Sequence, residues 1–296
     1  MILRHDSRSG IARFQGANGT RRASSRFSRK LLAYAVVIGA LSPAVRAVAQ
    51  STFVEGFESG NEGGWLYGSP FGGIQIVGGN PGACFRDPQI DTFAPQPHTT
   101  QHPSEFTGDY RARHVTSVGI DLILFYVDFS AGGRPLSVIL ETDNGTPGNF
   151  SDDWGAFLIG PAIVPQLGEG WRRYDFAIPS DAPSLPAGWE FIQFGPGSPT
   201  PIWNTLLHNV TRLRFFYGDP RNFFIFQVWD VAMDNPRITY NPAQPGDLNG
   251  DNCVNESDLG LLLAAWQSGA GGDVDGDGDT DESDLGLLLA NWRLGC

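Results

Sequence analysis

Through the middle of the chain, short apolar or alternating runs are separated by clusters of Gly, Pro, Asp and Asn. The runs Ile120–Phe129, Leu136–Glu141, Trp171–Ile178, Glu190–Phe194, Thr211–Tyr217 and Phe223–Met233 have the length and period of strands. Gly132-Gly133, Asp143-Asn144-Gly145 and Gly218-Asp219-Pro220 break them, and Gly72-Gly73 and Gly78-Gly79 read as further turns. Trp203–Asn209 has room for a short helix. This punctuation predicts a mostly β fold, an antiparallel sandwich or barrel over residues 50–240. The Pro-containing stretch 241–245 reads as a stiff linker.

The pattern then changes. Asp247–Trp266 and Asp273–Trp292 are two copies of one unit, offset by 26 residues and identical at 13 of 20 positions. Each copy is a twelve-residue acidic loop followed by a helix-period stretch. Leu259, Leu262, Leu263 and Trp266 form one apolar face, and Leu285, Leu288, Leu289 and Trp292 form its repeat. In the first loop, positions 1, 3, 5, 7, 9 and 12 are Asp247, Asn249, Asp251, Cys253, Asn255 and Asp258. In the second they are Asp273, Asp275, Asp277, Asp279, Asp281 and Asp284. A large hard cation takes six or more oxygens, and this spacing supplies them, with Cys253 offering its backbone carbonyl. The implied ion is Ca²⁺, one per loop. Gly278 at position 6 permits the sharp turn, and Asn252 stands at that place in the first loop.

This duplicated loop-then-helix unit, ending each loop in Asp and lacking a helix before it, resembles a type I dockerin domain over residues 246–296. The resemblance implies two calcium ions, a pseudo-twofold pair of helices and docking onto a cohesin domain of a scaffold or cell-surface protein. Glu256-Ser257, Glu282-Ser283, Ala264 and Ala290 fall where that family recognises its partner. A pseudo-twofold would bring Cys253 towards Cys296, as a disulfide or as two free thiols.

Charge divides the chain in the same way. The total of −12 conceals nine bases against one acid in residues 1–49, and eleven acids against Arg293 in the last 51 residues. The basic cluster Arg21–Lys30, the apolar run Leu31–Leu41 and Ala47-Val48-Ala49 have the order of a secretory signal peptide, with cleavage near Gln50. The expected product is secreted, extracellular or on the cell surface. No later run is long enough for a transmembrane helix, and the acidity excludes a nucleic-acid partner.

The ends of the β region carry a second resemblance. Phe53–Glu58, then Gly64-Trp65, open it, and Trp229–Ile238 closes it. That pairing looks like the jelly-roll sandwiches of carbohydrate-binding modules and extracellular adhesion domains. It implies adjacent first and last strands and a shared structural calcium, for which Glu58 and Asp234 are the ligands; turn or cap chemistry is the alternative for both. Trp154, Trp189 and Trp203 lie near loops and are candidate platforms for a sugar ring. Carboxylate pairs such as Asp152-Asp153 are candidates for glycoside hydrolysis, with a solvated loop as the alternative. His98, His102, His114 and His208 have no metal-ligand spacing, and no nucleophile elbow or phosphate loop occurs. The expected function is non-catalytic: an exported jelly-roll domain binding polysaccharide or mediating adhesion, joined to a calcium-binding module. The alternatives are a polysaccharide hydrolase or lyase, and a structural cell-surface protein.

Overall fold

The computed structural model describes residues 50–99, 104–241, 244–267, 270–293 and 296. The expected signal peptide (1–49), His102 and the linker pair Pro242-Ala243 lie outside the described residues. The fold is mostly β: an antiparallel jelly-roll sandwich followed by a small helical region. One sheet has the order β3 (Gly73–Gly79), β4 (Gly82–Thr92), β12 (Gln227–Tyr240), β6 (Val115–Val127) and β9 (Arg172–Ala177), with β1 (Ser51–Val54) also on β12. The other has the order β10 (Trp189–Gln193), β8 (Trp154–Ile163), β7 (Pro135–Thr142), β11 (Arg212–Tyr217), β5 (His98–Thr99) and β2 (Trp65–Leu66). The first and last strands do lie side by side, Ser51 opposite Tyr240 and Val54 opposite Arg237.

Alternation decides what each strand buries. Leu136, Val138 and Leu140 of β7 stand opposite Tyr217, Phe215 and Leu213 of β11, and all six are fully buried. Facing them from the other sheet are Ile120, Leu122, Trp229, Val231 and Met233, also fully buried. Aromatic rings lock the layer edge to face: Tyr217 meets Trp229 at 84° with centroids 6.1 Å apart, and Trp65 meets Phe106 at 80° and 5.0 Å. The helix α1 (Trp203–His208) buries Trp203, Leu206 and Leu207.

Two expectations are corrected. Gly73–Gly79 is a strand rather than a pair of turns, and its hairpin to β4 closes through the cis Asn80–Pro81 bond. Phe223–Phe226 is not part of β12, which starts at Gln227. This segment follows the Gly218 turn (φ 156°) as a loop, anchored where the Arg134 guanidinium lies 4.2 Å from the Phe224 ring centroid and 5.2 Å from that of Trp229.

The helical region has a separate small core of Val254, Leu262 and Leu288, with Leu248, Leu259, Trp266, Val274, Leu285 and Trp292 packed around it. The helices α2 (Glu256–Ala264) and α3 (Glu282–Ala290) repeat each other turn for turn. Their buried stripe is narrower than the apolar pattern suggests: Leu263 and Leu289 are half exposed. Each half caps the other. Gln267 N donates to Thr280 O (3.0 Å) and Arg293 N to Val254 O (2.7 Å), equivalent bonds under the 26-residue repeat. Cys253 is disulfide-bonded to Cys296, with Cα atoms 4.7 Å apart. Cys84 is free and buried, and burial pushes its thiol up to about 11.

One core position carries a pH dependence. Asp87 on β4 is fully buried, and its Oδ2 has no hydrogen-bond partner. Burial is the main cause that raises its carboxyl above the ordinary 3.8. The folded chain therefore favours the protonated acid. That contribution to stability is complete below about pH 4 and is lost as pH rises through the raised folded value. Relative to the parent, Asp87→Asn should gain stability as pH rises above about 4 and level off once pH has passed the raised folded value. Thermal unfolding across that range checks this; a pH-independent difference would refute it.

Candidate metal centres and an open groove

Asp247 and Asp273 open the two acidic loops and hold the chain in the same turn. Asp247 Oδ1 accepts from Gly250 N (2.9 Å) and Asp251 N (3.2 Å), and its Oδ2 accepts from Asn252 N (2.7 Å). Asp273 accepts in turn from Gly276 N (2.6 Å), Asp277 N (3.1 Å) and Gly278 N (2.9 Å). Position 6 needs left-handed backbone, and Asn252 (φ 65°) and Gly278 (φ 102°) provide it.

At the other end of each loop, Asp258 and Asp284 are fully buried. Each is the third residue of its helix and completes a capping box, accepting from Asn255 N or Asp281 N at 2.8 Å. The second oxygen reaches back to the loop entrance, to Leu248 N (2.8 Å) and Val274 N (2.6 Å). The carboxylates of Asp247, Asp251 and Asp258 are thereby brought together, with ligand atoms within 4.8 Å of one another. The second loop forms two such groups that share Asp284, one with Asp273 and Asp275 and one with Asp279 and Asp281. Both loops have the geometry to hold a metal ion. Asp277 stands outside these groups, its Oδ1 accepting from Asp279 N at 3.1 Å. Asn249 is bonded to Asp251, and the Cys253 carbonyl accepts from Asn255 Nδ2 at 3.3 Å.

Crowded acids shift one another. Asp279 is raised chiefly by Asp277; Asp247 and Asp275 are raised by burial first and by neighbouring carboxylates after it. Asp284 is lowered, chiefly by the N–H donor of Asp281. A cation among these groups replaces the proton that the raised acids favour.

Glu58 and Asp234 both serve the β3–β4 hairpin. Glu58 Oε1 accepts from Ala83 N (3.0 Å); the fully buried Asp234 accepts from Asn80 N and, at 2.7 Å, from Asn235 N. Burial, followed by the charges of Asp121 and Glu58, raises Asp234 to about 6. These bonds are turn and cap chemistry.

The three tryptophans are corrected. Trp154, Trp189 and Trp203 are 1%, 5% and 2% exposed, so none offers a ring face to a ligand. Trp189 packs on Trp203 and Trp154 on Phe191, because inward positions of β8, β10 and α1 need large apolar volume.

A groove lies instead on the outer face of the second sheet, with a volume of about 420 Å³. Pairing register sets Glu190, Phe157, Ile139, Arg214 and His98 in one row across β10, β8, β7, β11 and β5. Loop 218–226 forms a wall, tied down by Ser137 Oγ donating to Gly218 O (2.6 Å) and by the Arg134 guanidinium against Phe224; Arg134 also donates to Phe93 O (2.6 Å). Phe93 stacks on Phe223 at 5.2 Å and touches Phe216 and Phe226 edge-on or tilted. Phe223 is 80% exposed and Phe226 61%. Across the groove stand Ile192 and Phe194. Glu141, buried on the same face of β7 as Ile139 and opposite Arg212, binds Arg212 and Arg214, and Arg214 also bonds Gln96. Asp153 is buried nearby, raised by burial first, with Arg212 opposing and Glu141, Asp143 and Asp152 adding. Asp152 accepts from Thr146 Oγ1. The signals for this groove were present as the Arg-Leu-Arg-Phe alternation at 212–215 and the apolar loop at 223–226.

No protein-family model matches the chain, and no curated protein matches it. Among solved structures, an exo-beta-agarase is similar at 14% identity and a TM-score of 0.36, over 65% of this chain and 25% of that one. The K1 cleaved adhesin domain of Lys-gingipain from Porphyromonas gingivalis W83 is similar at 12% identity and a TM-score of 0.30, over 64% of this chain and 99% of that one. SGBP-B, from a complex xyloglucan utilization locus in Bacteroides uniformis, is similar at 11% identity and a TM-score of 0.30, over 63% and 49%. The chain thus spans a quarter of the agarase and half of the SGBP-B chain.

Proposed function

We propose that this is an exported, non-catalytic glycan-binding protein whose sandwich holds a polysaccharide chain in the outer groove. The observation that carries this reading is the phenylalanine wall of half-buried Phe93 and exposed Phe223, with exposed Phe226 against Phe93, facing Phe194. Flat apolar rings suit the C–H faces of a sugar, and the neighbouring amides of Gln96 and Asn222 suit its hydroxyls. Export follows from the leader sequence alone.

The tail is a dockerin-like module holding one Ca²⁺ in each loop. The converging carboxylates support the cation, and oxygen-only spacing supports calcium among cations. Its partner is a cohesin-like domain or another cell-surface scaffold. Glu256-Ser257, Ala264, Glu282-Ser283 and Ala290 are exposed, next to the exposed Leu263 and Leu289, and so are available to a partner.

Two measurements test these assignments. Phe223→Ala should weaken polysaccharide binding by ~1 kcal/mol, about fivefold, without lowering the melting temperature. Unchanged affinity in an array-selected glycan would refute the groove. Chelation should lower the melting temperature of the helical region, and a calorimetric calcium titration should lose more affinity in Asp273→Ala than in Asp247→Ala. The reason is that loop two has five carboxylates at positions 1, 3, 5, 9 and 12, against three in loop one. An unchanged melt in chelator would refute calcium binding.

A further inference from the structure

We propose that the groove selects uncharged polysaccharide chains and turns away chains bearing uronate or sulfate groups. The inference rests on the glycan-binding reading above and adds the class of ligand.

Cationic side chains on a sugar groove ordinarily signal an anionic ligand. Here Arg214 and Arg221 line the groove with Arg212 beside them; Arg212 and Arg214 share one carboxylate, and Arg221 has two. Arg212 Nη1 donates to Glu141 at 2.9 Å, and Arg214 Nη2 donates to the same carboxylate at 3.0 Å. The remaining Arg214 nitrogens face Glu141 Oε1 and Gln96. Arg221 is held by Asp219 through Nε (2.9 Å) and Nη2 (2.7 Å), and by Glu190 through Nη1 (2.8 Å). Three cations are matched by Glu141, Asp219 and Glu190, so the set is neutral before any ligand arrives.

An anionic group has no good place in that set. To take Arg214 it must displace a buried carboxylate, since Glu141 is 2% exposed, and leave that charge unpaired. To take Arg221 it must approach Glu190, whose side chain is half exposed. His98 adds no positive charge near neutrality, because burial lowers it to about 4. Beyond Arg212 lie the buried acids Asp143 and Asp153. The whole chain is at −12, which opposes an anionic polymer at long range. The surfaces left for contact are apolar or uncharged: Phe93, Ile192, Phe194, Phe223 and the amide of Asn222.

Affinity electrophoresis of the full chain tests this with two panels. One holds neutral glucans, mannans and galactans; the other holds uronate polymers and sulfated galactans, each at low and high salt. The expected result is retardation by at least one neutral polymer, little changed by salt, with anionic polymers weaker by about tenfold or more. Anionic binding equal to or tighter than neutral binding, and weakened by salt, would overturn the inference while leaving the glycan reading intact. Binding to neither panel would overturn the glycan reading and this inference with it. Glu190→Gln leaves Arg221 with one carboxylate, and should raise retardation by uronate polymers by about threefold. Its folding is checked by circular dichroism, and a folded variant with no gain would overturn the charge-pairing argument.

Discussion

Each strand of the sandwich must turn successive side chains to opposite sides, and most of the molecule follows from that constraint. The inward rows of the two sheets have to fill one shared layer at close-packed density. Trp65, Phe106, Phe215, Tyr217 and Trp229 do so with edge-on or offset ring contacts. Once Leu213, Phe215 and Tyr217 are committed inward, Arg212, Arg214 and Phe216 have no choice but the outer face. The groove is the other side of the core.

An outer face made this way has to stabilise its own charges. Glu141 sits in the middle of the sheet, where water hardly reaches, and would be costly there without Arg212 and Arg214. The same pairing that makes the buried acid tolerable removes the arginines from the market for anionic ligands. Loop 218–226 closes over this floor because Arg134 inserts its guanidinium against Phe224 and Trp229 while donating to Phe93.

The helical region is governed by a different balance. Its core is three fully buried side chains, too little apolar surface to secure it generously. Stability is supplemented by reciprocal backbone bonds between the halves, by capping boxes, and by the Cys253–Cys296 disulfide. The acids at Asp247, Asp258 and their repeats organise the loops through backbone N–H donors and at the same time bring like charges together. A cation bound there would relieve that repulsion and would couple metal binding to folding.

What could be read from the sequence is what depends on near neighbours. The acidic loops were legible because ligand spacing, the turn at position 6 and the helix that follows all lie within about twenty residues. The β class was legible from alternation and turn residues. The ion pairs of Glu141, the phenylalanine wall and the burial of Trp154, Trp189 and Trp203 join strands and loops far apart in sequence. Tryptophan near a loop looks the same in sequence whether it faces sugar or core, and only the register of β8 and β10 and the seating of α1 turned these three inward. Local chemistry therefore belonged to the sequence. The choice of which side chains are buried and which line the open groove belonged to the tertiary structure, because it is decided by what each strand must bury.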